Sequence, residues 1–195
     1  MIDFPVRKSC LPGAPRALGV LTSWGGRHSQ HRYEDFALIQ AILRDVRPSV
    51  GVELGTDEGG FACMLADTLA EWGGRVVTVD LVARCGSLGR ANLEQWAPCD
   101  CLATARQDIV DLVGIPRGFL YCDNGNKARE LTLYAPHVGA GGLVGVHDYD
   151  TEVDPVLAEA FMALLGYHQE RHAEFEALAH PQDYPYSLTR MWRRV

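Results

Sequence analysis

Two groups of side chains have the types and spacing to do chemistry. The first is Glu53, the turn Gly55-Thr56-Asp57-Glu58-Gly59-Gly60, and Asp80. Glycines in such a turn let backbone approach a ligand closely, and a helix starting there offers unpaired N–H groups. A carboxylate at Asp80, closing a strand, can accept both hydroxyls of a ribose. The second group is Asp123, Lys127, His147 and Asp148. Asp123 and Asp148 are hard oxygen ligands of the kind that magnesium, calcium or manganese takes, and His147 could join them. If no metal is held, His147 is the natural general base: its ordinary pKa is near neutrality, and Asp148 could raise it. Lys127 could hold an anionic substrate group or stabilise a developing oxyanion; an exposed lysine at a helix start explains it equally well.

These residues need elements to position them. Val50 to Leu54 is a short apolar strand that breaks into the glycines. Phe61, Met64, Leu65, Leu69 and Trp72 then recur at helical spacing, predicting a helix from Gly60 to Trp72. Gly73-Gly74 stops it, and Arg75 to Leu81 reads as a second strand. The three form one β-α-β unit. Before it, Phe36, Ile39, Leu43 and Val46 predict a helix closed by Pro48. After it come a short helix over Leu88 to Trp96, a weakly marked third strand around Cys101 to Ala105, and a helix from Ile109 to Val113. A fourth strand, Gly118 to Cys122, leads into a polar turn and a helix from Ala128 to Val138. Leu143 to Val146 is the fifth strand. Asp154 caps a helix that Pro155 opens and that runs to about Leu165. Strands alternating with helices imply a mostly parallel sheet covered on both faces, with ligands bound beyond the carboxyl ends of the strands. Both chemical groups fall at that edge.

The spacing of the turn narrows the ligand. A dinucleotide fingerprint would read G-x-G-x-x-G, whereas Asp57 stands where the middle glycine would be. An acid there is a poor neighbour for a pyrophosphate and a better one for positive charge. This disfavours an NAD-dependent oxidoreductase and favours an adenosyl ligand with a sulfonium and an amino-acid tail.

The series Val52-Glu53-Leu54-Gly55-Thr56-x-x-Gly59-Gly60, Val77-Thr78-Val79-Asp80, Phe119 to Asp123, Leu133 to Val138 and Gly141 to Asp148 resembles class I S-adenosylmethionine (SAM)-dependent methyltransferases. It is closest to the small-molecule O-methyltransferase and cephalosporin-hydroxylase-like group. The resemblance covers roughly residues 48 to 150. It implies a Rossmann-like α/β fold with a seven-stranded, mostly parallel sheet, closed by a last antiparallel pair expected at Ala173 to Leu178 and Ser187 to Arg193. It implies a cofactor set of Glu53, Gly55, Thr56, Asp57, Gly59, Gly60, Asp80, Leu81, Asp108 and Asp123. Within it, Glu53 supports the turn near the methionine ammonium, and Asp108 contacts the adenine amino group. Carboxylates at the tips of the fourth and fifth strands hold a divalent cation in metal-dependent members, which here points to Asp123, His147 and Asp148. The sequence departs from that pattern in having a histidine at His147 and Asn124-Gly125-Asn126-Lys127 after Asp123.

The expected activity is therefore methylation of a small molecule, at oxygen, with a divalent cation such as magnesium or with His147, Asp148 and Lys127 as the catalytic groups. Nitrogen methylation or a macromolecular target keeps the same fold. No Asn/Asp-Pro-Pro-aromatic motif follows the fourth strand, which disfavours amino-group methylation of nucleic acid or protein. A degenerate protein that binds the cofactor or a partner without turnover is the non-enzymatic alternative. The chain has 195 residues and a formal charge of -7. That length suits a single domain over 1–195, with 1–34 as an arm or lid and 35–195 as the α/β core. The acidic balance disfavours a nucleic-acid backbone as main partner. No apolar run approaches membrane-spanning length and the start lacks a signal-peptide pattern, so a cytoplasmic location is expected. The six cysteines read as reduced thiols. Trp24, Arg27, His28, His31, Tyr149 and Tyr184 are candidates to face substrate, and a homodimer is left open.

Overall fold

The computed structural model describes residues 22–149, 152–177 and 189–195. A two-stranded hairpin, β1 (Thr22–Trp24) and β2 (Arg27–Ser29), precedes helix α1 (Tyr33–Val46). The core then runs β3 (Val50–Leu54), α2 (Gly60–Ala70), β4 (Arg75–Val79), β5 (Leu93–Trp96) and α3 (Gln107–Val113). It continues through β6 (Phe119–Cys122), α4 (Lys127–Tyr134), a 3₁₀ turn (Ala135–His137) and β7 (Leu143–His147). Helix α5 (Pro155–Leu164), β8 (Tyr167–Gln169), α6 (His172–Ala177) and β9 (Thr189–Arg194) complete it. The strands form one seven-stranded sheet in the order β5-β4-β3-β6-β7-β9-β8. All pairs are parallel except those of β9, which runs antiparallel to β7 and to β8.

Strand alternation sorts the side chains into two cores. On β6, Leu120 and Cys122 join Val52, Val79, Val144 and Trp192 under α3, α4 and α5. Phe119 and Tyr121 point the other way, toward Phe36, Ile39, Leu43, Met64 and Leu65 of α1 and α2. β3 is buried at all five positions, as a central parallel strand must be. Burying each of the large apolar side chains of α1 stabilises by about 1.5–3 kcal/mol, which holds that helix to the sheet. Gly145 exists for packing: a Cβ there would lie 2.4 Å from the Tyr121 ring.

Three sequence expectations need correction. Leu88 to Trp96 contains no helix. Gly89 has φ +66°, and Leu93–Trp96 is the parallel neighbour of β4. As an edge strand it is only partly buried, so its apolar pattern is weak. Cys101 to Ala105 is not a strand, because the Asp100 carboxylate accepts from the N–H groups of Leu102 and Ala103 and turns the chain. The described part of Ala173 to Leu178 is helical, and Tyr167–Gln169 takes the edge beside β9 instead. The arm before residue 22, the 178–188 connection with Tyr184, and residues 150–151 lie outside the described residues. Among the described residues, five cysteines are all free thiols, and no helix is long and apolar enough to cross a membrane.

Candidate functional site

The carboxyl ends of β3, β4, β6 and β7 open on one cavity of about 280 Å³. Its first wall is the turn between β3 and α2. The Asp80 carboxylate, just past β4, accepts from the N–H groups of Thr56 and Asp57, both at 3.1 Å, and from that of Val82 at 3.0 Å. The acid thus ties the turn to the neighbouring strand while still lining the cavity. Each carboxylate oxygen retains further acceptor capacity. Glu53 is buried beneath the turn and accepts from the Thr78 hydroxyl, which also pairs with Thr56 Oγ1 at 2.6 Å. Burial first, and the nearby Asp123, Asp80 and Asp57 charges, push the Glu53 carboxyl well up, against the Thr78 bond.

The glycines serve close approach within the protein itself. A Cβ on Gly55 would meet the Asp123 carbonyl oxygen at 2.4 Å, and one on Gly60 the His28 carbonyl oxygen at 2.3 Å. Asp57 occupies the left-handed region at φ +45° and pairs with Arg84 at 3.1 Å. Asp148, at φ +51°, is the other cavity-lining carboxylate in that region. Such conformations in non-glycine residues gather at functional sites.

The opposite wall is built from charge. Lys127 opens α4, where Asn126 caps the helix by accepting from the Arg129 N–H. Its ammonium is almost wholly buried, 3.5 Å from Asp123, 3.0 Å from Asp148 and 2.9 Å from Glu152. Burial disfavours that charge, but the three carboxylates outweigh it and raise the lysine pKa. His147 Nδ1 lies 3.1 Å from Asp123 and 3.5 Å from Asp148. Burial would lower its pKa, yet Asp123 and then Asp148 hold it up at about 9. At neutral pH the ring is therefore charged, and a role as base requires that proton to leave first. Asp148 is lowered, with burial opposed by His147 and Lys127.

The segment before α1 roofs the cavity. His31 is sandwiched between Phe61 and His147, at 4.2 and 4.1 Å between ring centroids. Its Nε2 meets the Tyr121 hydroxyl at 2.8 Å and its Nδ1 meets Ser29 Oγ at 2.9 Å. Burial, then the His147 and Lys127 charges, push its pKa well down.

Of the sequence-derived cofactor set, Glu53, Gly55, Thr56, Asp57, Gly60, Asp80 and Asp123 line the cavity. Gly59, Leu81 and Asp108 do not. Gly59 packs against Leu88, Leu81 faces solvent, and Asp108 is held by Arg106 at 2.5 Å. Lys127 and Asp148 line the cavity, while His147 lies buried behind them. His28 and His31 line it, whereas Trp24 bonds Asp67, Arg27 bonds the Glu58 and Ser87 carbonyls, and Tyr149 bonds Glu159. The sequence reading missed Arg84, Glu152 and Phe61 as lining residues. It also missed Glu130, which is buried and accepts from the Asn124 and Asn126 N–H groups. Only the spacing Asn126-x-x-x-Glu130, a carboxylate one turn into a helix, hints at that bond.

The model of the family "Rhamnosyl O-methyltransferase/CmcI" matches residues 18–96. That stretch, less than half of the chain, is similar to the CmcI and rhamnosyl O-methyltransferase family. A CmcI structure with magnesium and SAM is similar to this chain at TM-score 0.59 and 18% identity, over 93% of this chain and 82% of that one. A CmcI structure with SAH gives TM-score 0.60 and 16% identity, over 93% and 88%. At that identity the likeness concerns the fold. No curated protein matches by sequence.

A divalent cation can be tested against the donors present. Asp123, Asp148 and Glu152 are oxygen donors of the right kind. His31, Asp123 and His147 each offer a ligand atom, all within 4.8 Å of one another, and His147 Nε2 is buried without a hydrogen-bond partner. The donors thus match a cation in type, with Asp123, His147 and Asp148 as its holders, but only once the Lys127 ammonium leaves the carboxylates and His147 loses its proton. The same carboxylates already face the Lys127 ammonium.

Proposed function

We propose that this protein is a SAM-dependent methyltransferase that methylates a hydroxyl of a small molecule in the cavity between the glycine turn and the tips of β6 and β7. The observation that carries the reading is the cavity's two unlike walls. One offers Asp80, Glu53 and the start of α2 to an adenosyl amino acid; the other offers the Lys127 ammonium, with charged His147 buried behind it, to an oxygen that is losing its proton. Bound SAM supplies the chemistry: the acceptor oxygen forms a bond to the methyl carbon while the carbon–sulfur bond breaks and leaves a neutral thioether. A divalent cation would polarise the acceptor hydroxyl only where it displaced the Lys127 ammonium from these carboxylates.

The protein's own task is alignment and charge. Asp80 accepts the ribose hydroxyls, and Glu53 and Asp57 favour the cationic amino-acid end. Lys127 and His147 stabilise negative charge on the acceptor oxygen in a site that His31 and Phe61 shield from water. Glu152, the most solvent-exposed carboxylate of the Lys127 cluster, takes the hydroxyl proton and passes it to water. We assign residues 35–195 to the catalytic core and 1–34 to an arm or lid, of which His28 to His31 line the cavity. Calorimetry with SAM and SAH, followed by a panel of small hydroxylated acceptors read by mass spectrometry, tests the proposal. Products one methyl group heavier, with the label on oxygen, support it. Methyl transfer to nitrogen only, or NAD binding in place of SAM, contradicts it.

A further inference from the structure

We infer that Lys127 is the resident cation of the acceptor site. Its ammonium occupies the position a divalent ion would take, and a metal enters only when that ammonium is displaced. For its catalytic consequence this rests on the methyl-transfer reading; the occupancy does not.

Three carboxylates from separate points of the chain converge on one atom. Asp123 follows β6, Asp148 follows β7, and Glu152 lies beyond it, beside the Tyr149–Val153 bridge. All three stand 2.9–3.5 Å from Lys127 Nζ. Like charges gathered this closely repel unless a cation lies among them. An ammonium with 4% of its side chain exposed is likewise unfavourable unless it is paired. Each arrangement makes the other tolerable. The chain directs the lysine there by local means. The turn Asn124-Gly125-Asn126 returns after Asp123, the Asn126 cap starts α4, and Lys127 is the first helical residue.

A magnesium ion coordinates oxygen at about 2.0–2.1 Å in near-octahedral geometry. It cannot share these oxygens with an ammonium at hydrogen-bond distance. The nitrogen donors do not offer a separate place. His31 already uses both ring nitrogens on Tyr121 and Ser29, so a cation beside it, Asp123 and His147 would have to break one of those bonds. Lys127 therefore supplies positive charge next to the acceptor oxygen that a metal supplies elsewhere, but as one unit of charge on a tethered group.

The test is manganese binding to the full chain, read by the loss of the free-ion electron paramagnetic resonance signal and by thermal shift. Wild type, Lys127→Met, Lys127→Arg, and Lys127→Met combined with Asp148→Asn are compared. The expected result is no manganese uptake by wild type or Lys127→Arg at millimolar ion. Lys127→Met should melt lower without metal, take up manganese, and recover its melting temperature as the ion is added. Removing the Asp148 charge as well should abolish the uptake. Should Lys127→Met fail to fold even with metal, Lys127→Gln replaces it, and wild type alone still decides the main point. Tight manganese binding by wild type that Asp123→Asn removes would overturn the inference. So would a Lys127→Met or Lys127→Gln protein that folds and takes up none. A protein that behaves as expected toward manganese yet transfers no methyl group would leave the occupancy standing and remove the methyl-transfer reading.

Discussion

The two walls of the cavity are held by different interactions. On the turn side, one carboxylate satisfies backbone: Asp80 takes three N–H groups, and Gly55 and Gly60 lie against carbonyl oxygens too closely for any side chain. On the other side, side-chain charges satisfy each other: Lys127, His147, Asp123, Asp148 and Glu152 form one ion-pair cluster. The first wall is a fixed frame, suited to a cofactor of constant shape. The second is a set of charges whose balance one substitution changes, suited to the step in which charge moves.

The largest expected effect lies on the turn side. Asp80→Ala leaves three N–H groups, those of buried Thr56, half-buried Asp57 and exposed Val82, without their acceptor. It should destabilise by about 2–4 kcal/mol in urea unfolding and lower SAM affinity by about 100-fold or more in calorimetry. An effect on binding alone would mean that the frame does not depend on Asp80. Next is Gly145→Ala, which drives a methyl group into the Tyr121 ring behind the charged wall. It should lower stability by about 1–3 kcal/mol in the same measurement.

The charged wall also makes a prediction about pH. His147 is held at about 9 against an ordinary 6.5, and Glu130 at about 8 against 4.5. For Glu130, burial outweighs the Asn124 and Asn126 bonds. Both groups bind more protons folded than unfolded, so stability falls as pH rises. The His147 contribution is complete below about 6.5 and gone above about 9, and the Glu130 penalty grows between about 4.5 and 8. Urea midpoints should therefore fall between pH 6 and 9; a flat or rising profile would contradict the charge assignment. Glu53→Gln sharpens the contrast between the walls. Because burial favours the protonated carboxyl in the empty cavity, stability should change by less than about 1 kcal/mol, while SAM binding, whose ammonium favours the ionised carboxylate that Gln cannot form, weakens. The smallest effect is expected from Asp108→Ala, which breaks an exposed ion pair with Arg106. Stability should move by no more than about 0.5 kcal/mol and SAM affinity not at all.

Legibility in the sequence follows the same division. The turn wall is local: Val50 to Leu54, the glycines and Asp80 lie within one β-α-β unit, and apolar periodicity marks each boundary. The last strand, expected over Ser187 to Arg193 from the family resemblance alone, forms over Thr189–Arg194 with Met191 and Trp192 buried. The charged wall was legible only as strand tips. That Glu152 joins Lys127, or that His31 slots between Phe61 and His147, depends on contacts across more than 20 or 100 residues of chain and has no local pattern. The edge strand β5 was hidden for a related reason. With one strand neighbour and half its surface wet, Leu93-Glu94-Gln95-Trp96 need not look like a strand. Asp108 was expected after a third strand around Cys101 to Ala105; with the strand elsewhere, it lies in the first turn of α3 and pairs with Arg106 outside the cavity lining.

The most direct test of the account is a crystal structure of the chain soaked with SAH. The account predicts the ribose on Asp80, the amino-acid end beside Glu53 and Asp57, and the sulfur turned toward the Lys127–Asp148 cluster. SAH bound away from Asp80, or with its sulfur facing away from Lys127, would contradict it.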